Sequence, residues 1–142
     1  MTQEQKELLL KDLSARVPYG VKVEAKVPVN RTDYKEFIDK VTSVSYNIDI
    51  VQVGNTDVIV GYEPHFEIKP YLFPLSSMTE EQKKEYDKII YHSIELHHRE
   101  YSDIVEIDLF DNLQEFYHKY HFDYRGLIPM GLAKDATNSI VY

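Results

Sequence analysis

Cysteine is absent from the 142-residue chain, and with it go thiol nucleophiles, cysteine-ligated zinc and any disulfide framework. Tryptophan is absent too, and glycine is scarce, with five in all. Neither Gly-x-x-x-x-Gly-Lys nor Gly-x-Gly-x-x-Gly occurs, and the Gly-x-Ser-x-Gly elbow of serine hydrolases is missing, so no loop built to cradle phosphate or present a serine is visible. Positive charge is short: 16 Lys and Arg stand against 24 Asp and Glu, a formal net charge of −8. That excess repels phosphate and argues against non-specific binding to nucleic acid or to an anionic membrane surface. Apolar runs such as Leu8-Leu9-Leu10 fall far short of the roughly 20 residues a membrane-spanning helix needs. The first residues, Met1-Thr-Gln-Glu-Gln-Lys6, carry no basic-then-apolar secretory signal, so a cytoplasmic protein with no membrane partner is expected.

What is present is core material. Hydrophobic residues make up 43% of the chain and aromatics 13%, far too rich for a disordered acidic segment, and the length suits one domain able to bury its own core. One domain over residues 1–142 is therefore expected, with a sheet-containing half over about 1–75 and a mainly helical half over about 79–142.

Thr2 with Gln5 three residues on forms a capping box, and Leu9, Leu10, Leu13 and Val17 follow at helical spacing, predicting a helix that ends near Ala15. Val21 to Val27 alternates apolar and charged residues, the pattern of a strand with one dry face. Tyr34, Phe37, Ile38 and Val41 suit a short helix between Pro28 and Lys40. A hairpin is expected over 41–62, with Val41–Val53 as one arm, Gly54-Asn-Thr-Asp57 as the turn and Val58–Tyr62 as the other arm. Three prolines, Pro64, Pro70 and Pro74, make Glu63–Ser77 read as an irregular surface connection.

A second capping box, Thr79-Glu-Glu-Gln82, opens a helix to about His98, with Glu80 set to meet Lys84 and Glu85 to meet Lys88. Asp103–Asp108 alternates like a short strand, and a third helix starts at Asp108 or Asp111 with Leu109, Leu113, Phe116, Tyr117 and Tyr120 as its apolar stripe. Asp123 can cap a last turn through Leu127, Pro129 stops it, and the rest reads as a tail. These elements add up to an α+β fold: an N-terminal helix, an antiparallel sheet of three to five strands, and C-terminal helices packed on one face.

Chemistry is harder to find. Glu95-Leu-His-His98 and Glu115-Phe-Tyr-His118 are two Glu-x-x-His motifs of the kind that di-iron sites draw from paired helices. With 13 Glu and 6 His in the chain, about half a motif arises by chance, and helical phase turns Glu95, His98, Glu115 and His118 away from the apolar sides. His97 or His98 with Asp103 is the remaining weak metal candidate. No catalytic residue and no cofactor is assigned. Asp108 and Asp111, a pair that could do acid/base work, are spaced as suits an N-cap.

Local charge says more. Residues 1–40 hold 8 basic and 7 acidic residues, whereas Glu95, Glu100, Asp103, Glu106, Asp108, Asp111 and Glu115 stand against Arg99 alone. Of the twelve tyrosines several crowd this third of the chain, where Tyr101, Tyr117, Tyr120 and Tyr124 lie beside Phe110, Phe116 and Phe122. Tyrosine's apolar body and wet tip suit an interface as well as a core edge. Arg125, between Tyr124 and Gly126, reads either as part of that contact surface or as an ion-pair partner for a nearby carboxylate.

Three blocks resemble known sequences: Lys6-Glu-Leu-Leu-Leu-Lys-Asp-Leu13 with Pro18-Tyr-Gly-Val21, then Lys69 to Tyr86, and His121 to Ala133. They are similar to a group of small uncharacterised proteins of gut anaerobic bacteria and their prophages or other mobile elements. The resemblance implies a bacterial or phage-encoded accessory protein and brings no activity, cofactor or catalytic residue with it.

The leading expectation is a non-catalytic interaction module that meets a protein partner, basic in character, through Glu95, Glu100, Asp103, Glu106, Asp108, Asp111, Glu115, Tyr124 and Arg125. The competing expectation is a small metal-assisted hydrolase or nucleic-acid-processing enzyme using the His- and acid-rich stretch 92–121, with those side chains converging on a pocket. A homo-oligomer joined through the tyrosine-rich stripe is a third.

Overall fold

The computed structural model describes residues 1–97 and 102–142, with side chains over 1–95 and 109–142. The elements in order are α1 (Gln3–Arg16), β1 (Lys22–Pro28), β2 (Tyr34–Ser45), β3 (Ile50–Val53), β4 (Thr56–Ile59), β5 (Glu67–Leu72), α2 (Glu80–His97), α3 (Ser102–Lys119) and β6 (Lys134–Asp135). They form an α+β fold with one six-stranded sheet in the order β4-β3-β2-β1-β5-β6. All pairings are antiparallel except β5 with β6.

Both capping boxes form. Thr2 Oγ1 accepts from the Gln5 amide and Gln5 Oε1 accepts from the Thr2 amide, and Thr79 and Gln82 repeat the exchange at α2. In α1 the apolar residues Leu9, Leu10 and Leu13 are buried and face the sheet. Opposite them lie Val21, Val23, Ala25 and Val27, then Val41, Val51, Val53 and Val58, with Ile68, Leu72, Leu127 and Leu132 completing the cluster. The sheet's dry face is thus roofed by α1 and the 127–133 segment, while α2 and α3 pack against each other.

Four segments depart from the sequence reading. Residues 34–40 extend as part of β2 instead of coiling into a helix, because pairing with β1 sets Phe37 beside Ala25 on the core side and leaves Tyr34, Glu36 and Ile38 outside. The expected single arm Val41–Val53 is broken: Tyr46–Ile48 make a 3-10 turn, and Asp49 takes a left-handed φ of 53°. Tyr46 and Ile48 are left exposed, and the tight hairpin lies between β3 and β4 across Gly54-Asn55. The proline-containing connection holds β5, a buried strand in which Pro70 stands opposite Val23. Lastly, the stretch read as a tail contributes β6 beside β5.

The helical half also differs. Backbone 102–108, which includes the expected short strand, is the beginning of α3, so that helix starts six residues before Asp108. In α2 Ser93 is buried and donates to the Ile89 carbonyl, while Ile94 beside it is exposed. Glu80 meets Lys83 rather than Lys84, and Glu85 reaches across to Lys119 and Tyr120 of α3.

A bulge lets β2 serve two neighbours. Val41 pairs with Val53 but Ser43 pairs with Gln52, so the ladder gains one residue at Thr42. Side chains alternate along a strand, and one extra residue reverses their parity, which returns Val44 to the core side. At the hairpin Gly54 has a φ of +59°, and a Cβ there would run into the Asp39 carboxylate. Gly54→Ala is expected to lower stability by about 1–3 kcal/mol in urea unfolding.

Candidate functional site

The acidic stretch divides by helix. Glu95 is exposed near the end of α2, and Asp111 and Glu115 are exposed one turn apart on α3. The backbones of Asp103, Glu106 and Asp108 lie in α3 and that of His97 ends α2, but their side chains, like the whole of His98 and Glu100, fall outside the described residues. Among the described residues, no group of three His, Asp or Glu side chains stands where it could hold a metal ion.

The described histidines of 92–121 do not converge. His92 is exposed, the His118 ring lies against Tyr19 and Tyr124, and the His121 ring stacks on Tyr142 at 3.9 Å. Glu115 faces water as its helical phase predicts. His118 does not: it is 5% exposed. The reason is that the chain folds back after α3, so Phe122–Arg125 covers the helix's last turn on a side that would otherwise be wet.

Tyr124 and Arg125 are likewise drawn inward. Arg125 Nε donates to Asp12 Oδ1 at 3.1 Å, and Arg16 Nε donates to Asp12 Oδ2 at 2.8 Å. The Asp12 and Arg16 side chains are fully buried. Arg16 Nη2 also donates to the Phe122 carbonyl at 2.7 Å, tying α1 to the fold-back segment. Tyr124 stands within this group, with the Arg16 and Arg125 guanidinium carbons 5.5 and 4.9 Å from its ring centre and Tyr117 stacked on it at 4.9 Å. Its hydroxyl hydrogen-bonds His118 Nε2 at 2.9 Å.

One carboxylate therefore serves two guanidinium groups in a buried site, and a neutral imidazole and a phenol complete the surroundings. Burial, with the nearby Arg16 and Arg125, lowers the pKa of His118 to about 4. Burial, again with Arg16, lowers His121 to about 4. The same desolvation raises Tyr124, which Arg125 partly opposes. The ion-pair reading of Arg125 thus describes its geometry, and its partner is a residue that sequence reading passed over. The available signal was Asp12 four residues before Arg16, flanked by Leu9 and Leu13 on the core side of α1.

The exposed part of the helical pair has a different character. Tyr91 is 67% exposed and Phe110 61%, with Ile94 also outside, and Glu95, Asp111 and Glu115 are exposed as well. Between the helices a groove of about 260 Å³ is lined by Glu85, Ile89, Asn112, Glu115, Phe116 and Lys119. A second pocket, of about 320 Å³, lies where α3 ends near the start of α2, against Phe73, Gln82, Tyr120 and His121. No helix among the described residues is long and apolar enough to cross a membrane. Comparison with protein-family models, with curated protein sequences and with solved structures gives no match to this chain.

Two outcomes are expected from the buried group. Asp12→Ala strands the fully buried Arg16 and the partly buried Arg125 and lowers unfolding free energy by about 3–5 kcal/mol, measured by denaturant titration. The lowered histidine values give a second. Above pH 6.5 folded and unfolded chains both carry neutral His118 and His121, whereas from 6.5 down to about 4 only the unfolded chain takes up those protons. Melting temperature should fall across that window, and His118→Phe should remove the share of the slope that belongs to one proton.

Proposed function

We propose that this chain is a non-catalytic interaction module, an accessory protein of a prophage or mobile element, whose helical pair docks a basic protein partner. The observation that carries this reading is the exposed composition of α2 and α3, where Tyr91, Ile94 and Phe110 are left in water and Glu95, Asp111 and Glu115 are exposed as well. Large apolar side chains and carboxylates exposed on the same two helices supply both terms that a docking surface uses. The rings give buried area and the acids give steering toward positive charge.

Tyr124 and Arg125 enter this reading as positioning residues rather than contacts. Through Asp12 and Arg16 they anchor the segment that follows α3 to α1, and so hold the end of that helix against the rest of the fold. The hydrolase reading gains no support from the described histidines, since two of the three have rings occupied by Tyr19, Tyr124 and Tyr142.

The test is capture of host proteins on the immobilised chain, compared with a variant carrying Glu95→Gln, Asp111→Asn, Glu115→Gln and Phe110→Ser. A specific basic protein retained by the native chain, released by raised salt and lost on the variant is the expected result. Retention unchanged by the four substitutions, or no retained protein, rules this surface out.

A further inference from the structure

The molecule has two apolar clusters, and a polar seam lies between them. The first draws on α1, the strands and the 127–133 segment, and among the described residues no side chain of α2 or α3 belongs to it. The second is a group of rings on the helical pair, where Phe116 lies 5.8 Å from Phe122, 6.0 Å from Tyr86 and 5.2 Å from Tyr120. In the seam α1 presents Asp12 and Arg16, and the turn after it presents Tyr19. The other side presents His118, Tyr124, Arg125 and the Phe122 carbonyl. His121 belongs to the same seam, with its ring on Tyr142, its carbonyl on the Phe73 amide and the charge of Arg16 acting on it.

Donors outnumber acceptors in this seam. Arg16 and Arg125 both donate to Asp12, and Arg16 Nη1 is buried with no partner among the described residues. Asp123, also buried, spends its carboxylate on the Leu127 and Ile128 amides. On α2, Glu85 is bonded to Lys119 and Tyr120. The rings against the two histidines, Tyr19 and Tyr124 at His118 and Tyr142 at His121, bring hydroxyls rather than side-chain carboxylates. The Tyr142 hydroxyl is itself held by the Lys22 amide. His121 Nδ1 is buried and unpartnered as well. A neutral ring leaves a bare lone pair there, whereas an imidazolium must place an N–H where nothing accepts it. At His118 a proton adds a third cation beside two guanidinium groups that share one carboxylate.

We propose that the seam is an acid-released latch: protonation of His118 and His121 parts the helical pair, together with Phe122–Arg125, from α1, while the sheet stays folded on its own apolar cluster. That cluster holds only aliphatic and aromatic side chains without a titratable group, so the same protons leave it intact. In the closed molecule burial, and after it the guanidinium charge, lowers both histidines to about 4. Once the seam opens they return to water, where imidazole takes up its proton near pH 6.5. Between those two values each histidine binds a proton only in the opened form. The opening constant therefore rises by a factor approaching about ten per pH unit for each histidine, and about a hundred for the two together.

Amide hydrogen exchange of the whole chain from about pH 6.5 to about pH 5, a range above the ordinary carboxylate values, tests this once the intrinsic exchange rate is divided out. The amides of α2, α3 and residues 120–125 are expected to share one opening constant, at least about tenfold larger than that of the Val23–Val27 and Val51–Val58 amides. That constant should climb toward about a hundredfold per pH unit. His118→Phe and His121→Asn should each cut the climb to about tenfold per unit, and the two together should abolish it. Asparagine suits position 121, where φ is 59°. If His118→Phe does not fold, His118→Gln replaces it, since its amide keeps a partner for the Tyr124 hydroxyl and takes no proton. Equal protection in helices and strands, no pH dependence in the native chain, or a dependence that survives both substitutions overturns the proposal.

Discussion

The Asp12 carboxylate is the point on which the parts of this molecule converge. It sits on α1, which covers the sheet's dry face, and it accepts from Arg16 of that helix and from Arg125 far along the chain. Arg16 in turn binds the carbonyl of Phe122, beside the residues that bridge to β5 through the Phe73 and Asp123 backbone. A buried cation is costly without a partner, and here two share one anion, so the site tolerates little displacement of any member. The roof of the sheet, the end of α3 and the fold-back segment are positioned together by this one arrangement. Hydrophobic burial supplies most of the folding free energy, and the ion group fixes how the helical pair is attached.

Much of the fold is legible in the sequence where the signal is local. The two capping boxes, the alternation of Val21–Val27 and the stripe from Leu109 to Tyr120 all act over a few residues, and each forms as read. Segments governed by distant partners are not legible in the same way. Tyr34–Lys40 has a spacing compatible with a helix, yet β1 offers it a complete ladder of backbone hydrogen bonds. Prolines around Glu67–Leu72 argue against a strand until Pro70 is seen opposite Val23, a position where neighbouring residues carry the pairing. A two-residue strand such as Lys134–Asp135 has no period to detect at all.

The candidate site is legible in part for the same reason. Exposure of Asp111 and Glu115 follows from helical phase alone. Burial of His118 and the inward turn of Tyr124 and Arg125 depend on a chain reversal after α3, held by Asp123 accepting from the Leu127 and Ile128 amides. Helical phase predicts which way a side chain points, and only tertiary structure decides what waits there. Net charge behaves likewise: in a chain of −8 the wet side of β1 carries two lysines, Lys22 and Lys26, and one glutamate, Glu24. Whole-chain acidity thus describes neither face of the molecule.

The bond from Arg16 to Phe122 spans 106 residues of chain. On a ribosome adding about 5–20 residues each second, α1 emerges some 5–20 seconds before the segment that completes its polar surroundings. During that interval the helix can shelter its leucines only against the early strands, with both charged side chains hydrated. Final desolvation of Asp12 and Arg16 belongs to the last stage of synthesis, so chains halted before Phe122 retain a wet, unlocked helix.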